Sequence, residues 1–203
     1  MIEVKNLCTG YSRDKPLLKD FNYKFEPKIY GILGHSGCGK TTLLRTIAGL
    51  TKPLSGEVLI DGNPIGKAGQ NGVYMMHQNY TSFDWLRCID NVLIAKKVKG
   101  KINKEDVNKA IHMLSLVGLK GHEDKFPKQL SGGMRQRLAL ARTLFTNPKI
   151  ILMDEPLSAL DNITRVQMQD LILKVHKETE NIIVMVTHSQ DEANKMCDKI
   201  IKF

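Results

Sequence analysis

The chain has 203 residues, 42% of them hydrophobic and 6% aromatic, and a formal net charge of +9. That content supports one sizeable domain with its own core, and the dominance of Leu, Ile and Val suits buried parallel strands better than an all-β sandwich. The longest apolar stretches, residues 150–153 and 182–186, are strand-sized and far short of the ~20 apolar residues a bilayer crossing needs.

Residues 1–33 alternate loosely (Ile2, Val4, Leu7, then Phe21, Tyr23, Phe25) around Pro16 and Pro27, which predicts short strands joined by turns. Residues 29–33 form a compact apolar strand that runs into glycine. From 40 to 50 the apolar spacing becomes helical through Leu43, Leu44, Ile47 and Leu50. Residues 56–62 read as a strand entering a turn, and 73–77 as a further strand. The stretch 84–145 reads as mainly helical, with Ile111, Leu114, Leu116 and Leu119 on one apolar face. The end returns to strand at 150–153, helix at 165–179, strand at 182–187, a short helix, and Ile200-Ile201. This order predicts an α/β fold in a single domain over 1–203, with core segments of about 1–83 and 146–203 and a helical subdomain of about 84–145.

Cys8, Cys38, Cys88 and Cys197 lie far apart with no C-x-x-C pair, so isolated reduced thiols are expected rather than a metal site. The N-terminal Met1-Ile2-Glu3-Val4-Lys5 lacks the layout of a secretory signal, and a cytoplasmic location is expected. Positive charge raises the question of nucleic acid. Lys and Arg are spread along the chain, however, and the one dense run, Lys96 to Lys104, reads first as solvated surface and second as attraction to an anionic membrane face.

Gly34-His35-Ser36-Gly37-Cys38-Gly39-Lys40-Thr41 fits the phosphate-loop pattern G-x-x-x-x-G-K-[ST], with a strand before it and a helix after it. Glycines let successive N–H groups turn inward as an anion-binding nest, and the helix beginning near Lys40 adds its positive end. Lys40 is placed to reach β- and γ-phosphates and the Thr41 hydroxyl to ligate Mg²⁺, with Thr42 next along the helix. Residues 150–153 deliver two carboxylates, Asp154 and Glu155, at the carboxyl end of a buried strand, where α/β sheets place ligands. Asp154 suits Mg²⁺, and Glu155 suits a general base that polarises an attacking water. Cys38 stands inside the loop two residues from Lys40, so an adduct on its thiol would occupy the phosphate space.

Leu130-Ser131-Gly132-Gly133-Met134-Arg135-Gln136-Arg137 resembles the signature motif of ATP-binding cassette proteins, about 20 residues ahead of Asp154. Ser158-Ala159-Leu160-Asp161 resembles that family's D-loop, Gln78 its Q-loop and His188 its switch histidine; Tyr11, 23 residues before Gly34, matches the aromatic that stacks on adenine. The resemblance implies a P-loop NTPase (RecA-like) core, an N-terminal antiparallel β subdomain and an inserted helical subdomain. It implies ATP and Mg²⁺ as cofactors, Gln78 as a catalytic and metal-binding residue beside Thr41 and Asp154, and His188 and Lys40 as partners of Glu155. Two cassettes then pair head to tail, as a homodimer or with a related cassette. Ser131, Gly132, Gly133 and Asp161 of each act in trans on nucleotide held by Gly34–Thr42 of the other. Ser131 to Gly133 open a helix and so offer a second anion-binding end. Two departures stand in these motifs: Met134 where Gln is usual, and Ser189 where Asp is common. The chain stops at Phe203, so no C-terminal regulatory domain is expected.

The run from Gln78 through Trp85 to Asp90-Asn91-Val92 is similar to bacterial importer cassettes of the nitrate, sulfonate and taurine group. This implies the energising subunit of a transporter, peripheral on the inner face of the membrane, docked on a separate permease near Tyr80 to Arg87. An external solute-binding protein would then serve the same system. Trp85 fits either a partner pocket or the core. The rivals are an exporter cassette, a regulatory ATPase and a DNA-maintenance ATPase. The last inserts long coiled coils between its motifs, whereas only about 90 residues separate Lys40 from Ser131 and no heptads appear, so no nucleic-acid partner is expected. Ribosome-acting relatives carry two cassettes in one chain.

Overall fold

The computed structural model describes residues 1–12, 14–76 and 82–203. It divides into two compact units: Met1–Gln78 with Lys149–Ser158 and Ile172–Phe203, and Asn79–Pro148 with Ala159–Leu171.

The first unit holds β1 (Ile2–Thr9), β2 (Leu18–Phe25), β3 (Ile29–Leu33), α1 (Lys40–Ile47), β4 (Ser55–Ile60), β5 (Asn63–Pro64) and β6 (Val73–Met76). One antiparallel sheet has the order β2-β1-β4-β5. The second sheet is parallel and is completed by β7 (Ile150–Asp154), β8 (Ile182–Val186) and β9 (Lys199–Lys202), in the order β6-β7-β8-β3-β9. β3, β7 and β8 are buried along their whole length, as expected of parallel strands covered on both faces. Between the sheets lies one core, in which Ile2, Val4 and Phe25 meet Leu43, Leu44 and Ile47 of α1 and Ile32, Leu152 and Val184. Removing each such side chain from water contributes about 1.5–3 kcal/mol. α1 ends at Ile47, three residues short of the helical spacing, because Gly49 adopts φ 69 and turns the chain, leaving Leu50 exposed. α6 (Gln190–Met196) packs on β3. Gly31 makes room for it, since a Cβ there would stand 2.8 Å from Cys197 Sγ.

The second unit is built on α2 (Cys88–Lys99), α3 (Lys104–Leu116) and α4 (Gly132–Phe145), which pack on one another. It also includes the first turns of α5 (Asn162–Thr179), a helix through which the division between units passes. Asn103 opens α3 with a full capping box to Asp106. Ile111 does not share the buried face of α3. That face runs through Ala110, Leu114 and, beyond the helix, Val117, while Ile111 lies about 100° round from Ala110 and is exposed. Trp85 is 74% exposed, with its ring against Phe83, which in turn lies under the Arg142 guanidinium. Its place is at the surface rather than in the core.

Candidate functional site

Register decides which side chains meet in the first unit. β7, β8 and β3 are adjacent and parallel, with Asp154 level with Val186 and Val186 level with Ile32. The residues just past their carboxyl ends therefore gather at one edge of the sheet: the Gly34–Gly39 loop, Asp154-Glu155, and Thr187-His188. A cleft of about 540 Å³ opens there. Its wall is formed by Ser36, Gly37, Gly39, Lys40, Thr41 and Thr42, with Tyr11 and Leu17 on one side and Glu155 and His188 on another.

The loop folds tightly because Gly37 and Gly39 take φ 84 and 103, a region that a side chain disfavours. Gly39 is the N-cap of α1 without a side-chain cap, so the first-turn N–H groups of the helix face the cleft with no intrahelical partner. The Lys40 ammonium is buried and donates to the carbonyls of Gly34 and His35, both at 2.8 Å, with Cys38 Sγ at 3.8 Å. Gly34 is pressed from behind, since a Cβ would stand 2.9 Å from both Cys38 Sγ and Phe203 O. Gly34, His35 and Cys38 thus contribute backbone and packing, and Ser36, Gly37 and Gly39 face the cleft.

The Thr41 hydroxyl donates to Asp154 Oδ1 at 3.0 Å. These are two hard oxygen ligands on adjacent elements, the kind Mg²⁺ takes when substrate phosphates and water complete its shell. Among the described residues no cluster of three or more His, Cys, Asp or Glu offers an all-protein cage, and the Thr41–Asp154 pair fits a hard divalent cation such as Mg²⁺ whose remaining ligands come from substrate and water.

Glu155 turns out of β7 with φ 49, its N–H held by Val186 O at 3.1 Å. A left-handed non-glycine conformation costs roughly 1–2 kcal/mol, and here it aims the carboxylate at the cleft rather than along the strand. Glu155 Oε1 lies 2.6 Å from His188 Nε2. The Ser158 hydroxyl ties the turn by donating to Glu155 O at 3.1 Å. Tyr11 stands on the cleft rim 87% exposed, a free ring rather than a core one. Leu17, which the sequence did not single out, lies beneath Gly39, 3.1 Å from where a Cβ would be, and its N–H is anchored on Thr9 O.

In the second unit Ser131 is the N-cap of α4, its hydroxyl accepting from Met134 N at 3.3 Å. Gly132 is open, whereas a Cβ on Gly133 would clash with Thr164 Cγ2, so α4 and the start of α5 approach closely at Gly133. Asp161 caps α5, accepting from Ile163 N at 3.1 Å and Thr164 N at 3.0 Å. The bonds from Thr164, then Ile163, hold its carboxyl below the usual range. Gln78 and Tyr80 lie outside the described residues.

A family profile described as ABC transporter matches residues 18–158. The chain is 46% identical to the uncharacterized ABC transporter ATP-binding protein YtlC of Bacillus subtilis, over 92% of this chain and 72% of that protein. It is 44% identical to the taurine import ATP-binding protein TauB of Roseobacter denitrificans, over 86% of this chain and 65% of that protein. The chain thus spans about two thirds of the length of the curated relatives it matches. In three dimensions it is similar to the dimeric post-hydrolysis structure of the ATP-binding cassette MJ0796 bound to ADP and Pi, with TM-score 0.85 and 31% identity over 100% of this chain and 94% of that one.

Proposed function

We propose that this chain, which belongs to the ABC transporter family, binds ATP in the cleft behind Lys40 and hydrolyses it to drive solute import through a separate permease. The observation that carries the reading is the contact of Glu155 Oε1 with His188 Nε2, 2.6 Å long, on the wall of the cleft that holds the phosphate loop. In this scheme the adenine stacks on Tyr11, and the phosphates enter the nest at the head of α1, where Ser36 and the N–H groups through Thr42 receive them. The Lys40 ammonium turns from the carbonyls of Gly34 and His35 to the β- and γ-phosphates. Thr41 and Asp154, with Gln78, hold Mg²⁺, which when bound neutralises phosphate charge. Glu155 accepts a proton from water as the water oxygen bonds to the γ-phosphorus. The bond from that phosphorus to the β,γ-bridging oxygen breaks, giving ADP and phosphate. His188 keeps the Glu155 carboxylate facing the water.

Ser131, Gly132, Gly133 and Asp161 act on the nucleotide of a second cassette, so ATP joins the pair and its hydrolysis loosens it. The permease docks near Tyr80 to Arg87, where the exposed Trp85 ring offers an aromatic anchor. That docking holds the chain on the inner face of the membrane; no helix of the described residues is long and apolar enough to cross one. The likeness to a taurine import protein supports import, with a solute-binding protein outside.

Replacing the base tests the reading. Glu155→Gln keeps ATP binding, slows hydrolysis at least about 10²-fold, and dimerises with ATP in size-exclusion chromatography without Mg²⁺. Turnover at the wild-type rate would refute the role.

A further inference from the structure

Beyond β8 the chain has to deliver His188 to the Glu155 carboxylate, yet the scheme above gives no task to the polar side chains on either side of it. We propose that Thr187, Ser189 and Glu192 form a hydroxyl relay that positions His188, an inference that rests on His188 acting with Glu155 as described.

A capping box satisfies two helix-end donors reciprocally between the N-cap and the third helical residue. One half is present at α6: the Ser189 hydroxyl accepts from Glu192 N at 3.2 Å. The return half runs through a third residue. Ser189 N–H donates to Thr187 Oγ1 at 3.1 Å, and that hydroxyl donates to Glu192 Oε2 at 2.6 Å. A hydroxyl has a single proton to give, so the bond to Glu192 fixes the Thr187 rotor. Thr187 is itself buried, and its N–H is held by Ile32 O at 3.2 Å. Glu192 rides on α6, which buries Ala193 and Met196 and packs on β3. His188 is thus strung between two residues, each fastened to parallel-sheet framework. A direct box would cap α6 as well; routing the bond through Thr187 adds restraint on the peptide groups that flank His188. Because a misplacement of about 1 Å costs up to 10²-fold in rate, that restraint bears on turnover. Thr187 and Glu192 are positioning residues, since they touch His188 through the chain and not the nucleotide.

Thr187→Val, Thr187→Ser and Glu192→Ala, each made with and without His188→Ala, test the relay. Thr187→Val and Glu192→Ala should lower kcat about tenfold, a fraction of the positioning limit, with KM for ATP unchanged, and Thr187→Ser should retain the rate. In the His188→Ala background the same changes should cost little more. Equal losses in both backgrounds, or no rescue by Thr187→Ser, overturn the proposal. A second readout needs no turnover: the ring-nitrogen resonances of His188, identified by their loss in His188→Ala, should shift in Thr187→Val and Glu192→Ala. Unmoved resonances overturn the relay. A wild-type chain without ATPase activity overturns the function proposed above and leaves the resonances to decide the relay.

Discussion

Burial pushes the thiol of Cys88 up to about 11 and that of Cys197 up to about 12, so neither presents thiolate at neutral pH. Cys38 is only half-buried and stands in the phosphate loop, where an adduct on its sulfur, 3.8 Å from the Lys40 ammonium, would crowd the space for phosphates. Maleimide should therefore abolish ATPase activity through Cys38, with bound ATP slowing the loss. Cys38→Ser should remain active and resist the reagent. Inactivation of that variant at the wild-type pace would transfer the effect to Cys8, which is also half-buried. Residues such as Cys38 and Lys40 could be singled out because loop spacing alone defines them. Leu17 could not, since its place under Gly39 follows from a backbone bond to Thr9 in a neighbouring strand. The Thr187 relay had a partial signal, Ser189 followed three residues later by Glu192, which is the written form of a capping box. Its second half passes through the Thr187 hydroxyl, a route that sequence spacing does not carry.

Among the elements, the fully buried strands were the most legible. β3, β7 and β8 follow the apolar runs at 29–33, 150–153 and 182–187 to within a residue. Helix ends were less so, because local chemistry sets them. α5 starts at Asn162, three residues ahead of the apolar pattern, because Asp161 caps it. β5 left no signal: it is two residues long, and Pro64 lacks the N–H a strand donates. The contact of α4 with the start of α5 gives a prediction at this scale. Gly133→Ala should destabilise the protein by about 1–3 kcal/mol, the usual range for overpacking, because Thr164 is β-branched and stiff in a helix. Thr164→Ser removes the offending methyl, so the double variant should recover most of the loss in thermal or denaturant unfolding. A double variant as unstable as Gly133→Ala would show that the close approach is not the cause.

For the whole molecule, the proposed pairing makes Lys40 and Ser131 opposite sides of one composite site. Lys40→Ala should weaken ATP binding to the isolated chain, and Ser131→Ala should spare that binding while impairing dimerisation and turnover. In a mixed dimer of the two variants one site carries both lesions and the other neither, so activity should partly return on mixing. Mixed dimers without any rescue would count against head-to-tail pairing. The order of strands and helices along the chain was legible because the phosphate loop, Asp154-Glu155, Ser131 and His188 each sit at a strand end or helix start that the local pattern announces. The turn at Glu155 bears on the same whole, since its φ of 49 taxes the native state in every molecule, working or idle. Asn, Asp and Gly tolerate that conformation better than Glu. In a library randomised at residue 155 and sorted for folded protein alone, those three should therefore outcompete Glu, while sorting for turnover should return Glu. Mutational drift in any descendant relieved of hydrolysis would then run toward a sturdier, silent protein, with selection on catalysis as the force that keeps glutamate in place.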